Sequence, residues 1–300
     1  MSYLPYVITV VAPPSLLNQK VLDLIEPYYS LQDAQWLSQQ EAIDIDLPTT
    51  DLNEAKSIFK KMQTALRSQK IDVFLTPMLS RKKKLLIADM DSTIVQSETL
   101  DDLAAEVGIG EQIAAITKRA MNGELVFADA LNERIALLKN VSADLLEKTW
   151  QRTKLNDAAQ TLVATMRKHH AHTALISGGF TFFTQKVADK CGFHENHANQ
   201  LSIQDNKLDG TVIPPILGKE AKLFHLNRLT KTLNLSDNES MTIGDGANDL
   251  PMLTHAGLGI GYYPKPIVAE QLSNIIQYTS LRSALFIQGY KESELVDELG

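Results

Sequence analysis

The sequence contains a single cysteine, Cys191, among 300 residues. A lone cysteine cannot form a disulfide within the chain, so a small scaffold stabilised by disulfides is excluded. A chain without such crosslinks is typical of a reducing compartment. We therefore expect a cytoplasmic protein whose stability comes from a packed core.

The sequence also lacks a surplus of basic residues and any long hydrophobic run. Lysine and arginine number 29 against 36 acidic residues, for a net charge of −7, whereas a nucleic-acid-binding protein would show a basic face. No segment approaches the roughly 20 apolar residues that a membrane helix needs. The apolar run at residues 6–11 ends at Pro13 and Pro14 and is too short for a signal peptide. Binding to nucleic acid or to a membrane is therefore not expected.

The first eighty residues predict a small domain of their own. Hydrophobic residues make up 44% of the chain, enough for one or two packed cores. Hydrophobic periodicity predicts strands at residues 6–12, 34–37, 42–47 and 71–75, and helices at 15–25 and from Asp51 or Asn53 onward. The order βαββαβ indicates a ferredoxin-like fold for a domain at residues 1–80.

Residues 81–300 predict a second domain with a parallel sheet. The basic run at residues 81–84 is interpreted as a solvated linker, and the apolar segment 84–88 as a buried strand. Further strands are predicted at 174–176, 201–203, 208–213, 241–243 and 258–261, with helices at 219–233 and from about 248. Strands that alternate with helices favour an α/β fold with a doubly wound parallel sheet. Residues 99–173 predict helices alone, and we expect them to form an inserted helical cap.

Polar motifs follow three of these predicted strands. They are Asp89 to Thr93, Ser177 to Gly179, and Gly244 to Asp249. Each motif alone is also typical of a turn. Because ligands of open α/β sheets bind beyond the carboxyl ends of the strands, the three motifs together predict one crevice.

The chemistry of the three motifs suits phosphate and a hard cation. Carboxylates at Asp89, Asp91, Asp245 and Asp249 offer the oxygen ligands that Mg²⁺ prefers. An ionised Asp89 can attack phosphorus. The Ser177 hydroxyl and the Gly178 N–H can donate hydrogen bonds to phosphate oxygens, and the glycine allows a close approach. A lysine is still needed to neutralise the phosphate.

These motifs resemble those of the haloacid dehalogenase superfamily and, within it, the phosphoserine phosphatases. The resemblance covers residues from about 84 to the C-terminus. It implies that Asp89 is the nucleophile and that Asp91 is first the general acid and then the base. It also implies that Mg²⁺ is held by Asp89, the main-chain carbonyl of Asp91 and Asp245, while Asp249 orients the metal-bound water. Ser177, Gly178 and Lys222 would hold the phosphoryl group, and Asn248 would support Lys222 or the phosphate.

Residues of the predicted cap carry the resemblance to the phosphoserine branch. They are Glu98, the segment Met121, Asn122 and Gly123, and the stretch from Phe127 to Arg134. By this resemblance Glu98 binds the ammonium group of the substrate, Arg134 binds its carboxylate and Phe127 closes over it. The implied reaction is the hydrolysis of phosphoserine to serine and phosphate, the last step of serine biosynthesis.

The first domain resembles an ACT domain, a fold that often binds amino acids at a dimer interface. Its first turn, Ala12-Pro13-Pro14-Ser15, lacks the glycine usual at such effector sites. A homodimer through this domain is therefore a hypothesis at least as good as effector binding. All catalytic motifs lie after Arg81, so we expect a chain that starts near this residue to keep the chemistry.

Three other functions remain open at this point. The chain could be a phosphatase of the same superfamily for another small phosphate ester, although the pair Glu98 and Arg134 fits a zwitterion better than a sugar phosphate. It could be a receiver domain, but such a domain lacks an inserted cap and a second aspartate like Asp91. A non-catalytic amino-acid sensor built on the ACT-like domain is the third, against which the complete catalytic set counts.

Overall fold

The computed structural model describes residues 6–32, 34–47, 49–121 and 124–298, without the side chain of Met121. Asn122 and Gly123, two of the cap residues that carry the resemblance, lie outside these ranges. None of the helices in the described ranges combines the length and the apolarity that crossing a membrane requires.

The N-terminal unit is a four-stranded antiparallel sheet with two helices, and it confirms the predicted βαββαβ order. Its elements are β1 (Tyr6–Val11), α1 (Gln19–Ile25), β2 (Gln35–Ser38), β3 (Ala42–Leu47), α2 (Leu52–Leu66) and β4 (Asp72–Pro77). The strand order is β2-β3-β1-β4. Helix α2 begins after Asp51, whose side chain accepts a hydrogen bond from the N–H of Asn53.

Helix α1 begins four residues later than the sequence predicted. Pro13 and Pro14 do not form part of it, and Ser15 has a positive φ of 69°. Asn18 then caps the helix, because its side chain accepts a hydrogen bond from the N–H of Val21. The hydrophobic periodicity that starts at Leu16 therefore extends beyond the helix itself.

The second unit is a seven-stranded sheet with helices on both faces, which confirms the α/β fold. Its strands are β5 (Leu85–Ala88), β6 (His172–Phe180), β7 (Glu195–Gln204), β8 (Lys207–Ile213), β9 (Ser240–Gly244), β10 (Leu258–Tyr262) and β11 (Ile275–Ile276). They lie in the order β11-β10-β9-β5-β6-β7-β8. All neighbours are parallel except β7 and β8, which form the predicted hairpin.

Helices after β5 form the insertion, and later helices flank the sheet. The first group is α3 (Thr99–Glu106), α4 (Gly110–Met121), α5 (Phe127–Ala136) and α6 (Asp144–Arg152). The later helices are α7 (Ala159–Lys168), α8 (Thr181–Cys191), α9 (Glu220–Thr232), α10 (Leu250–His255), α11 (Pro266–Ala269) and α12 (Ser283–Phe286). Because α7 packs against β6, α8 and α12, we assign it to the sheet layer and propose that the cap comprises α3 to α6.

One cluster of buried hydrophobic residues includes side chains of both units. Val11, Leu37 and Phe74 of the N-terminal sheet belong to the same buried cluster as Phe286 and Tyr290 near the end of the chain. A separate cluster between the N-terminal sheet and its helices holds that unit together. One face of the N-terminal sheet is therefore covered by the second unit.

The basic run between the units is only in part the solvated linker that the sequence predicted, because Lys82 and Lys84 are exposed whereas Arg81 and Lys83 are not. Arg81 is 11% exposed and forms an ion pair with Asp44. Lys83 is 6% exposed, and its ammonium donates to the carbonyls of Ser80 and Asn238. The interpretation was wrong for Arg81 and Lys83, because Asp44 and Asn238, which bind them, lie far away in the chain. The domain boundary at residues 80 and 81 stays a prediction.

Candidate active site

The three predicted motifs meet at one edge of the second sheet. Strands β9, β5 and β6 are adjacent and parallel, so their carboxyl ends lie side by side. They bring Asp245, Asp89 and Ser177, all of them buried, to this edge. The structure thus places the three motifs together, as expected from their positions after apolar strands.

Lys222 lies between two carboxylates in the interior of the site. Its ammonium nitrogen is 2.6 Å from Oδ1 of Asp89 and also forms an ion pair with Asp249. Burial alone would lower the pKa of Lys222, but Asp249 and Asp89 raise it above its ordinary value. Lys222 is therefore a fixed positive charge at the bottom of the cleft.

Asp89, Asp245 and Asp249 form a buried acidic cluster. Each offers one oxygen, and these oxygens lie within 4.8 Å of one another. Burial raises the pKa of Asp89 well above its ordinary value, Asp249 adds to this shift, and Lys222 opposes it. A hard divalent cation would offset the repulsion among these carboxylates and prefers oxygen ligands, so the residues fit a metal such as Mg²⁺.

Two glycines make room for the side chains of Asn248 and Asp249. Its Oδ2 accepts hydrogen bonds from the N–H groups of Asp245 and Gly246, at 3.1 and 2.9 Å. A Cβ at Gly244 would lie 2.5 Å from Cγ of Asp249, and one at Gly246 would lie 2.5 Å from Oδ1 of Asn248. The glycines on either side of Asp245 are therefore needed for the close packing of this loop. The predicted role of Asp249 in orienting water stays a prediction.

Asp91 is held by hydrogen bonds to both of its oxygens. The N–H of Thr99 donates to Oδ1 at 2.8 Å, and the Ser177 hydroxyl donates to Oδ2 at 3.2 Å. Burial, followed by the nearby charge of Glu98, raises the pKa of Asp91 to about 6. A carboxyl group with this pKa can both give and take a proton near neutral pH.

The serine motif sits on an irregular stretch of β6. Pairing with β7 shifts register between Ile176 and Phe180, which turns the intervening residues toward the cleft. The side-chain amide of Asn199 donates to the carbonyl of Gly178 at 2.8 Å and holds this stretch in place. A Cβ at Gly179 would lie 2.9 Å from Oδ2 of Asp91, so this glycine lets the two motifs approach.

The three predicted cap residues face the same cleft. Glu98, Phe127 and Arg134 line a cavity of about 170 Å³ together with Asp89, Asp91, Ser177, Gly178, Asp245 and Asn248. The carboxylate of Glu98 accepts a hydrogen bond from the Ser92 hydroxyl at 2.9 Å. Arg134 donates from Nε to the carbonyl of Ala130 at 3.2 Å.

Phe127 lies between two glycines at the mouth of the cavity. Its ring would be 3.3 Å from a Cβ at Gly178 and 3.6 Å from one at Gly218. The residue itself remains 36% exposed. This position, between cap and sheet, agrees with the predicted closure over a ligand, which stays a prediction.

Several residues of the site were given no role from the sequence, among them Gly179, Asn199, Gly218 and Lys265. The last of these follows β10, and its ammonium nitrogen lies 3.1 Å from Oδ2 of Asp245. Because β10 ends at the same sheet edge as β9, its position after a predicted strand was the signal that could have identified Lys265.

Comparison with known proteins agrees with this geometry. Residues 86–254 match the family of haloacid dehalogenase-like hydrolases. The phosphoserine phosphatase of Streptococcus thermophilus is 39% identical over 222 residues, which cover 74% of this chain and 100% of that protein. The phosphoserine phosphatase of Saccharomyces cerevisiae is 30% identical over 302 residues, which cover 97% of this chain and 98% of that protein.

Solved structures show the same relationship. A HAD family hydrolase of Salmonella enterica serovar Typhi aligns with a TM-score of 0.84 at 29% identity and covers 94% of this chain and 98% of that one. A substrate-bound phosphoserine phosphatase aligns with a TM-score of 0.64 at 35% identity, covering 68% of this chain and 98% of that one. This chain therefore belongs to the haloacid dehalogenase-like hydrolases and, within them, to the phosphoserine phosphatases.

Proposed function

We propose that this chain hydrolyses phosphoserine to serine and phosphate through an aspartyl-phosphate intermediate on Asp89. One observation carries the proposal: a single cavity of about 170 Å³ is lined by the carboxylates of Asp89 and Asp91 and by the pair Glu98 and Arg134. A cavity of this size suits a metabolite smaller than a typical drug. It joins a phosphate site to two groups of opposite charge, as a phosphorylated zwitterion requires.

In the first step, an Asp89 oxygen attacks phosphorus and the bond to the serine oxygen breaks. Protonated Asp91 donates its proton to this departing oxygen, because an alkoxide is a poor leaving group. The Ser177 hydroxyl, the Gly178 N–H and the Lys222 ammonium hold the phosphoryl oxygens, with Asn248 beside them. Their positive charge and dipoles are already in place when negative charge shifts onto the oxygens.

In the second step, water attacks the phosphorus of the aspartyl phosphate. Asp91 is now ionised and takes a proton from this water, so the same carboxyl group serves both steps. Its pKa of about 6 suits both roles. The product is inorganic phosphate, and the Asp89 carboxylate is restored.

We assign the cation of the site to Mg²⁺. Asp89, Asp245 and the main-chain carbonyl of Asp91 would hold it, and Asp249 would orient the water bound to it. When bound, the ion neutralises charge on the phosphate and on the surrounding carboxylates. The buried acidic cluster supports this assignment, since its carboxylates would otherwise repel a dianionic substrate.

Recognition of the serine part is assigned to the cap. Glu98 would bind the ammonium and Arg134 the carboxylate as a charge-assisted pair. Phe127, between Gly178 and Gly218, would close over the ligand and exclude water. The homodimer through the N-terminal unit, the effector site and the cytoplasmic location stay predictions.

The test is phosphate release from a panel of phosphorylated metabolites. Phosphoserine should give a higher kcat/KM than a sugar phosphate, a phosphorylated hydroxy acid or an aryl phosphate. Exhaustive dialysis against EDTA should abolish turnover, and added Mg²⁺ should restore it. A sugar phosphate used as well as phosphoserine would reject the substrate assignment, and full activity after chelation would reject the role of the metal.

A further inference from the structure

Lys265 forms the wall between the catalytic cavity and a larger one. The larger cavity, of about 640 Å³, lies between the two units and is lined by Ala12, Tyr262, Tyr278 and Arg282, among others. Lys265 lines both cavities. Its side chain is 52% exposed, so its ammonium can move without displacing packed neighbours.

The backbone directs Lys265 back toward the catalytic sheet edge. It lies between Pro264 and Pro266 and has an extended conformation just before α11, as expected for a residue that precedes proline. Its main-chain N–H donates to the carbonyl of Asp245 at 2.9 Å. Main chain and side chain of Lys265 therefore both contact Asp245, which ties the end of β9 to the loop after β10.

The ammonium of Lys265 faces two carboxylates that have no contact with Lys222. Its nitrogen is 3.1 Å from Oδ2 of Asp245 and 3.9 Å from Oε1 of Glu98. Lys222 is engaged by Asp89 and Asp249. The described part of the site thus has one lysine at the bottom, which is buried, and another at the rim, which is half-exposed.

We infer that Lys265 is a positioning residue that competes with the divalent cation for Asp245 and raises the positive potential for the incoming phosphate. The inference rests on the proposed function, because it takes Asp245 as a metal ligand. A cation can use Oδ2 of Asp245 fully only if the ammonium withdraws from it. The ammonium, on the other hand, attracts a dianionic phosphate over several ångströms.

Removing the charge of Lys265 should therefore raise the affinity for Mg²⁺ and lower the affinity for phosphate. In Lys265→Met, Mg²⁺ should bind tighter by about three- to tenfold, the size expected for a half-exposed unit charge that acts on a divalent ion. Inhibition by inorganic phosphate at saturating Mg²⁺ should weaken by a similar factor of about three to ten. Lys265→Arg keeps the charge and should restore both values.

The experiment uses the full chain. Calorimetric titration with Mg²⁺ in the absence of substrate measures the first affinity, and product inhibition measures the second. Lys219→Met is the matched control, because Lys219 lies near the start of α9 with 67% of its side chain exposed. Within the described residues, its ion-pair partner is Glu220. Thermal unfolding checks that each variant is folded, and Lys265→Gln replaces the Met variant if that one is not.

The outcomes separate this inference from the proposed substrate. Weaker or unchanged Mg²⁺ binding in Lys265→Met, or equal effects in Lys219→Met, would overturn the role of Lys265. A parallel loss of both affinities would indicate a structural role instead and would also overturn it. If the wild-type chain preferred another phosphate ester, the substrate assignment would fail, while the titration with Mg²⁺ would still decide the role of Lys265.

Discussion

The guanidinium of Arg81 forms a two-pronged ion pair with the carboxylate of Asp44, with N–O distances of 2.6 and 2.7 Å. The same side chain donates to the hydroxyl of Thr9 and to the carbonyls of Phe286 and Ile287. It therefore connects the N-terminal sheet, the segment between the units and the C-terminal helix α12.

Replacing Arg81 should destabilise the whole chain. In Arg81→Met, Asp44 would keep a buried charge without its partner, which typically costs about 3 kcal/mol or more. Lys82→Met is the control, because Lys82 pairs with Glu294 at the surface with 44% of its side chain exposed, and such pairs contribute about 0–1 kcal/mol. Urea denaturation measures both. Equal losses in the two variants would contradict the structural role of Arg81.

A chain that starts at Lys82 should aggregate, although all the catalytic motifs lie after this point. It would expose the apolar surface that now packs against Val11, Leu37 and Phe74. It would also remove Asp72, which accepts hydrogen bonds from the N–H groups of Gln277, Tyr278 and Thr279. We expect aggregation and increased binding of a hydrophobic dye. A monodisperse shortened chain with the stability of the full chain would refute this.

Most of the fold could be predicted because local patterns determine it. The buried strand β5 is a continuous apolar run, and helix α2 has both a capping aspartate and an apolar face. Helix α8 was missed, because no side chain caps its first turn and its threonines and phenylalanines also favour strands. Strand β11 has two residues, too few for any periodicity. The pairing of Arg81 with a residue 37 positions away has no local signal.

Asp89→Asn should abolish steady-state turnover and leave the chain folded. An amide cannot form the acyl phosphate, while Lys222 keeps its second partner, Asp249. Asp189→Asn, at an exposed position of α8, is the matched control. Phosphate release measures activity, and circular dichroism measures folding. Appreciable turnover by a purified Asp89→Asn sample would remove Asp89 as the nucleophile.

Motif spacing predicted the centre of the site better than its rim. Asp89 and Asp245 directly follow β5 and β9, and Ser177 lies in the last part of the neighbouring strand β6, so their meeting depends only on sheet topology. Gly179 and Gly218 matter through the side chains that approach them, Asp91 and Phe127. Such contacts depend on how the cap packs over the sheet, and neither glycine differs in sequence from one in an ordinary turn.

His225 should make the chain less stable in mild acid. It stacks on His197, with ring centroids 4.0 Å apart, and contacts Arg228. Burial and then these two neighbours lower the pKa of His225 from 6.5 to about 4, although Glu195 opposes the shift. As the pH falls, His225 is thus protonated in the unfolded chain before it is protonated in the folded chain. The free energy of unfolding therefore falls as the pH drops from about 6.5 to 4.

The contribution of His225 should be on the order of 1 to 2 kcal/mol once solvent screening is taken into account. In His225→Gln, the free energy of unfolding should depend less on pH across this window. His255→Gln is the control, since its ring is 43% exposed. Urea denaturation at several pH values provides the comparison. Identical pH dependence in wild type and His225→Gln would show that this histidine does not contribute.

Variants of the two charged cap residues, Arg134 and Glu98, test the substrate assignment. Arg134 is proposed to hold the carboxylate of phosphoserine, and a lost charge-assisted contact costs about 1.5 to 3 kcal/mol, or roughly ten- to a hundredfold in kcat/KM. Arg134→Ala should lower kcat/KM for phosphoserine by that factor but should affect an aryl phosphate, which has no carboxylate, far less. Arg119→Ala, a cap arginine that pairs with Glu133 at the surface, is the control.

Glu98 is proposed to hold the ammonium group of phosphoserine. Removing the charge of Glu98 should therefore reduce the selectivity for substrates that carry an amine. Glu98→Gln should weaken discrimination against phosphorylated hydroxy acids, which carry the carboxylate but lack the amine. The measurement is kcat/KM for both variants with phosphoserine, the hydroxy-acid analogue and an aryl phosphate. Because the phosphate site is common to all three substrates, damage to it lowers all three values equally. Equal losses would therefore mean that Glu98 and Arg134 support the phosphate site or the fold rather than recognise the zwitterion.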